Sequence, residues 1–117
     1  MTGKFARKLQ LAANDKRPNT VLFDATIWPH VYDGVEQIKT LAAEAQRPLS
    51  HLAIRWVLAQ AGIDTAVVGA RTPAQIQDNA NALQGELPAS LFARMTAISD
   101  EVIQHIPDTG NQYRYYP

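Results

Sequence analysis

The sequence contains no cysteine. That excludes disulfides, thiolate metal sites and cysteine nucleophiles. It carries no net charge either, since eleven Lys and Arg residues balance eleven Asp and Glu. No global field therefore favours nucleic acid or an anionic membrane. No uninterrupted apolar run approaches the roughly 20 residues that a spanning helix needs. The basic N-terminus lacks the apolar centre of a signal peptide. These absences set the expectation of a cytoplasmic protein that binds no nucleic acid and no membrane. The glycine-rich phosphate motifs GxxxxGK(S/T) and GxGxxG are missing as well. His30, His51 and His105 are scattered, with no metal-ligand spacing and no Ser-His-Asp order. His51 falls early in an amphipathic stretch and reads as a surface residue.

What is present fits one domain: 117 residues, 46% of them apolar, enough to bury a core. Charge is unevenly spread. Lys4, Arg7, Lys8, Lys16 and Arg17 face only Asp15 in the first stretch. The segment is aperiodic and broken by "NDKRPN", which reads as a solvated, mobile loop. The competing reading is a basic loop that approaches a phosphate.

Helical spacing follows. Val31, Val35, Ile38, Ala42 and Ala45 recur on one face, predicting a helix from Val31 to Gln46. In "PLSHLAIRWVLAQAG", Pro48 suits a helix start and Gly62 its stop. Leu49, Leu52, Ala53, Trp56 and Val57 form the expected buried stripe. A late helix runs from about Pro88 to Val102, with Leu91, Met95, Ile98 and Val102 on one face. The tail "QHIPDTGNQYRYYP" reads as irregular.

Between these helices, "IDTAVVG" is short, apolar and β-branched, as a buried strand would be, and the strand is placed near Thr65–Val68. Thr72 then reads as an N-cap, with Pro73 at the first helical position and Gln75 completing a capping box. Arg71 sits at this junction. Helix N–H groups and the helix dipole favour an anion there, and a guanidinium adds bidentate phosphate recognition. Strand, glycine turn, cation and helix start together make a candidate phosphate cradle. The bland alternative is a surface arginine beside a cap that needs no ligand.

The stretch "LSHLAIRWVLAQAGIDTAVVGARTPAQIQDNANAL" closely resembles the C-terminal part of the aldo/keto reductases. That family shows a Trp-centred helix, a buried strand and a Gly-Ala-x-x-x-x-Gln-x-x-Glu-Asn signature. Here the signature runs from Gly69 and Ala70 through Arg71 and Gln75 to Asp78 and Asn79. "LPASLFARMTAISDEV" resembles the helix that follows, and "MTGKF" resembles a segment in the loop after the seventh barrel strand. The resemblance implies an α/β fold. The chain would be a C-terminal fragment of a (β/α)8 barrel, mostly helical with about one short strand and the barrel incomplete. In this division, residues 1–28 are the loop after strand seven. Residues 29–103 are helix-helix-strand-helix-helix, and 104–117 are an irregular tail.

The resemblance also implies the cofactor NADP(H). Arg71 and Gln75 would contact the 2′-phosphate region and Asn79 the adenine, with Asp78 beside it. The family usually has Glu where Asp78 stands, and Asp is one methylene shorter. Gly69 and Ala70, in the turn, belong to the same cofactor-binding set, and Lys4 would lie near the cofactor phosphates. The family's catalytic Asp, Tyr, Lys and His lie on earlier segments, and nothing here replaces them. Lys4, Tyr32, Tyr113, Tyr115 and Tyr116 do not form that pattern, and no catalytic or metal residue is assigned. A complete barrel needs about 250 residues. Met1 falls where the family often has an apolar residue, as in a truncated gene. The expectation is the NADP(H)-binding portion of an aldo/keto reductase that reduces aldehydes or ketones, inactive alone. Its partners would be the nicotinamide cofactor and either the missing barrel half or a second copy. The alternatives are a short non-catalytic protein that binds a nucleotide or a partner, and an enzyme that uses new residues.

Overall fold

Apolar residues at helical spacing produce the helices of this chain, and the computed structural model, which describes residues 5–9, 11 and 14–108, shows four of them. Two short 3₁₀ turns, Arg17–Asn19 and Val21–Phe23, lead into α1 at Trp28–Glu44. Then come α2 at Leu49–Leu58, α3 at Pro73–Asn81 and α4 at Ala89–Ile103. Helix α1 begins three residues before the expected start. Pro29 sits in its first turn, where a missing N–H costs nothing, and Trp28 is buried there. It ends on Gln46, which takes a left-handed φ of 51°. Gln46 N–H donates to Ala43 O at 3.0 Å and Arg47 N–H to Ala42 O at 2.9 Å, the bonding of a Schellman cap. Helix α2 starts after Pro48 as expected, and Gly62, with φ 81°, turns the chain just beyond its end.

Helices α1, α2 and α4 share one core of Leu41, Ala42, Leu52, Leu91 and Met95. Leu52 is fully buried. Leu49, Trp56 and Ile98 flank this core, as the sequence pattern predicts, and Trp56 Nε1 donates to Thr96 Oγ1 at 3.0 Å. Val57 departs from the expected stripe and is exposed. Helix α1 packs most extensively on α4. The close approach falls at Gly34, where a Cβ would stand 2.6 Å from Val102 Cγ2.

Part of the N-terminal stretch expected to be solvated is packed among the described residues. Phe5 and Leu9 pack against a second cluster of Val21, Ile27, Trp28 and Val31. Phe23 stacks on Trp28 at 5.1 Å, and Phe5 meets Trp28 edge-on. Trp28 Nε1 donates to Arg7 O at 2.9 Å. Burying that indole ties down the backbone beside it.

The expected strand is the main correction to the fold. Residues 63–70 adopt no regular secondary structure, and no strand forms among the described residues. A β-branched run becomes a strand only when neighbouring backbone supplies ladder partners. Here Val67 is 99% exposed. The described chain is mostly helical, and no helix in it is long and apolar enough to cross a membrane.

Candidate functional site

Thr72 makes the local structure at the junction. Its extended backbone leaves the preceding segment, and its hydroxyl accepts from Gln75 N–H at 3.2 Å. Pro73 fixes the first helical φ. The return half of the expected capping box is shifted by one residue. Gln75 Oε1 accepts from Arg71 N–H at 2.7 Å, where a standard box would use the cap residue's own N–H. Two backbone donors at this helix start are therefore satisfied internally.

Arg71 is exposed beside the start of α3, as expected. Its guanidinium makes no ion pair or hydrogen bond among the described residues. Gly69 has open space where a Cβ would project, with nothing within 4 Å. A bulky anion can thus approach this junction without displacing protein atoms. Ala70 and Asn79 line a cleft of about 500 Å³ between residues 64–70, the end of α2 and α3. Ile54, Leu58, Val68 and Ile76 supply its apolar walls.

Asp78 is engaged elsewhere. Its Oδ1 lies 3.0 Å from His51 Nε2 on α2. His51 is buried, only 6% exposed, which corrects the surface reading of that residue. A ring nitrogen that bonds a carboxylate must carry the proton, so Nε2 is the donor. His51 Nδ1 is buried with no partner. No local signal marked this pair, whose members lie 27 residues apart.

The remaining candidates do not converge on this junction. Lys4 lies outside the described residues, as do Tyr113, Tyr115 and Tyr116. Two basic N-terminal side chains, Arg7 and Arg17, are internally paired. Arg17 forms a bidentate contact with Asp15 and lies 4.5 Å over the Phe5 ring. The Asp15 carboxylate holds the Arg17 guanidinium above its ordinary pKa. Arg7 pairs with Asp33. His30 and His105 stack at 3.6 Å across the ends of α1 and α4. Among the described residues, no group of three His, Cys, Asp or Glu side chains is assembled to hold a metal ion.

Sequence comparison adds an independent line. The sequence model of the aldo/keto reductase family matches residues 1–100. A curated relative, the aldo-keto reductase YhdN of Bacillus subtilis (strain 168), is 32% identical over 78 residues. That alignment covers 66% of this chain and 24% of the relative, so the chain spans about a quarter of the relative's length. No solved structure matches significantly.

Proposed function

The chain belongs to the aldo/keto reductase family, and from that premise we propose that it is the NADP(H)-binding portion of a reductase of aldehydes or ketones. The family's fold is a (β/α)8 barrel and its reductions use a nicotinamide cofactor. In this reading residues 64–70 and the four helices are barrel elements. The family's catalytic residues come from outside these 117 residues, so the chain alone does not turn over substrate. When bound, the nicotinamide supplies the hydride for carbonyl reduction. The residues here hold the far, adenosine end of the cofactor.

The carrying observation is the unengaged Arg71 guanidinium beside the capped start of α3, with open space next to Gly69. That donor set fits a phosphate monoester. Asn79, on the cleft wall, suits the edge of an adenine. Gln75 contributes less, because its side-chain oxygen is already committed to Arg71 N–H. An apolar groove of about 360 Å³ between α1, α2 and α4, lined by Val31, Ile38, Trp56 and Ile98, supports burial against further barrel elements.

The test is a fluorescence titration of NADPH and NADH against the chain and its Arg71→Ala variant. The 2′-phosphate is present only in NADPH. Loss of a charged hydrogen bond worth about 1.5–3 kcal/mol should weaken NADPH roughly tenfold to a hundredfold and leave NADH nearly unchanged. Equal weakening of both cofactors would overturn the assignment and leave Arg71 a surface residue.

A further inference from the structure

Helix α3 has no buried residue of its own, and Ile76 and Leu83 are 62% and 59% exposed. Apolar burial is the usual anchor of a short helix, since nine residues are marginal in isolation. Its apolar anchor is the buried C-cap Ala82, and polar contacts add to it. The structure shows two polar grips, both from α2. His51 Nε2 reaches the Asp78 carboxylate midway along α3 at 3.0 Å. One helical turn later, Arg55 Nη1 reaches the carbonyls of Leu83 and Gly85 at 3.2 and 3.0 Å, with Ala82 O at 3.4 Å. These carbonyls follow the C-terminus of α3, where a cation also meets the negative end of the dipole. Residues four apart share a helix face. His51 and Arg55 thus form one two-point clamp, from a buried imidazole and a guanidinium.

We propose that His51 and Arg55 are positioning residues for the candidate dinucleotide site. They fix α3 against α2, and so fix where Arg71 and Asn79 stand. Asp78 enters through this clamp and does not reach a ligand itself. Its shorter side chain suits that role, because its carboxylate ends beside the buried imidazole. The functional half of this proposal rests on the NADP(H) reading above; the clamp does not.

The experiment uses residue-resolved hydrogen exchange on the full chain. Three variants remove grips: His51→Leu, Arg55→Met and the exposed-side Asp78→Ala. Two keep a donor: His51→Gln and Arg55→Lys. Exchange of the Ala80, Asn81 and Ala82 amides should accelerate on the order of tenfold in the first group. The Leu52 and Met95 amides in the shared core should not change. The conservative variants should recover much of the α3 protection. Asp78→Ala removes the acceptor from an exposed position, so it decides the question even where a substitution at buried His51 disrupts folding. Unchanged α3 exchange, or equal acceleration of α3 and core, overturns the clamp. In parallel, NADPH titration should show affinity falling with α3 protection across the variants. Affinity that stays constant while α3 loosens overturns the positioning role. A wild-type chain that binds no NADPH overturns the NADP(H) reading, while the exchange result still decides the clamp.

Discussion

The α1–α2–α4 core and the segment from Ile63 to Leu83 are built on different principles. In the core, side chains at helical spacing interlock, and Leu41, Leu52 and Met95 are almost completely removed from water. In the second region the apolar residues are present but mostly unburied: Ile63, Val67, Val68, Ile76 and Leu83 are all exposed. Polar contacts from α2, with the buried Ala82, hold it. The contrast teaches that a sequence can be equally apolar in two places and yet fold by itself only where its partners are local. The candidate site lies in the second region, where the chain has the most surface left to give to something else.

The sharpest way to break this comparison is to truncate one apolar side chain to alanine in each region. Leu52→Ala should cost about 2–5 kcal/mol, because it opens a cavity among packed neighbours. Val67→Ala should change stability by less than about 0.5 kcal/mol. Urea denaturation of the two variants measures both. Similar losses would mean that Val67 is buried in solution, by self-association or another route, and that the two regions are not distinct. A smaller effect is expected at the α1–α4 crossing. Gly34→Ala places a methyl against Val102, a β-branched side chain with little room to rotate. Overpacking of this kind costs about 1–3 kcal/mol, partly offset by the better helix propensity of alanine. A stabilised Gly34→Ala protein would show that the crossing is looser than the structure has it.

The smallest effect belongs to the surface. Arg94 donates to Glu44 at 2.7 Å and holds its carboxyl below the ordinary glutamate range. The folded pKa is depressed, so the contribution is present above the unfolded value, about 4.3. It fades as pH falls through the folded value. Wild type should therefore be slightly more stable than Glu44→Gln near neutrality, and the gap should close in acid. Both side chains are about half exposed, so the gap will be small. Melting temperatures taken across the acid range check this. A gap that persists at the lowest pH would assign it to packing instead of charge.

The helices were legible in the sequence because their signal is local. Val31, Val35 and Ile38 fall on one face whatever lies elsewhere, and Thr72 caps α3 with a residue three positions away. The misses depend on distant partners. A strand at 65–68 requires another strand, and no spacing within "DTAVVG" states whether one is available. His51 looked like a surface residue because its partner Asp78 lies 27 residues further on. The N-terminal segment looked solvated because its charges are conspicuous, whereas Phe5 and the Trp28 indole decide its place. At the candidate site, the position and exposure of Arg71 were legible from the cap. The contact of Asp78 with His51 was not, since it joins residues 27 positions apart.

The bond from Arg71 N–H to the Gln75 side chain has a consequence for how such a junction would respond to its medium. With that donor and Gln75 N–H both occupied, a phosphate bound as proposed would rely chiefly on one exposed guanidinium and the dipole behind it. Exposed charges are screened over about 10 Å at 0.1 M salt. A cradle of backbone donors would be nearly indifferent to added salt, because its bonds are short and directional. If Arg71 reads the 2′-phosphate as proposed, the preference it confers would shrink as ionic strength rises. Discrimination here would be set by the solvent as much as by the protein, making coenzyme choice a property of the ionic conditions in which the chain works.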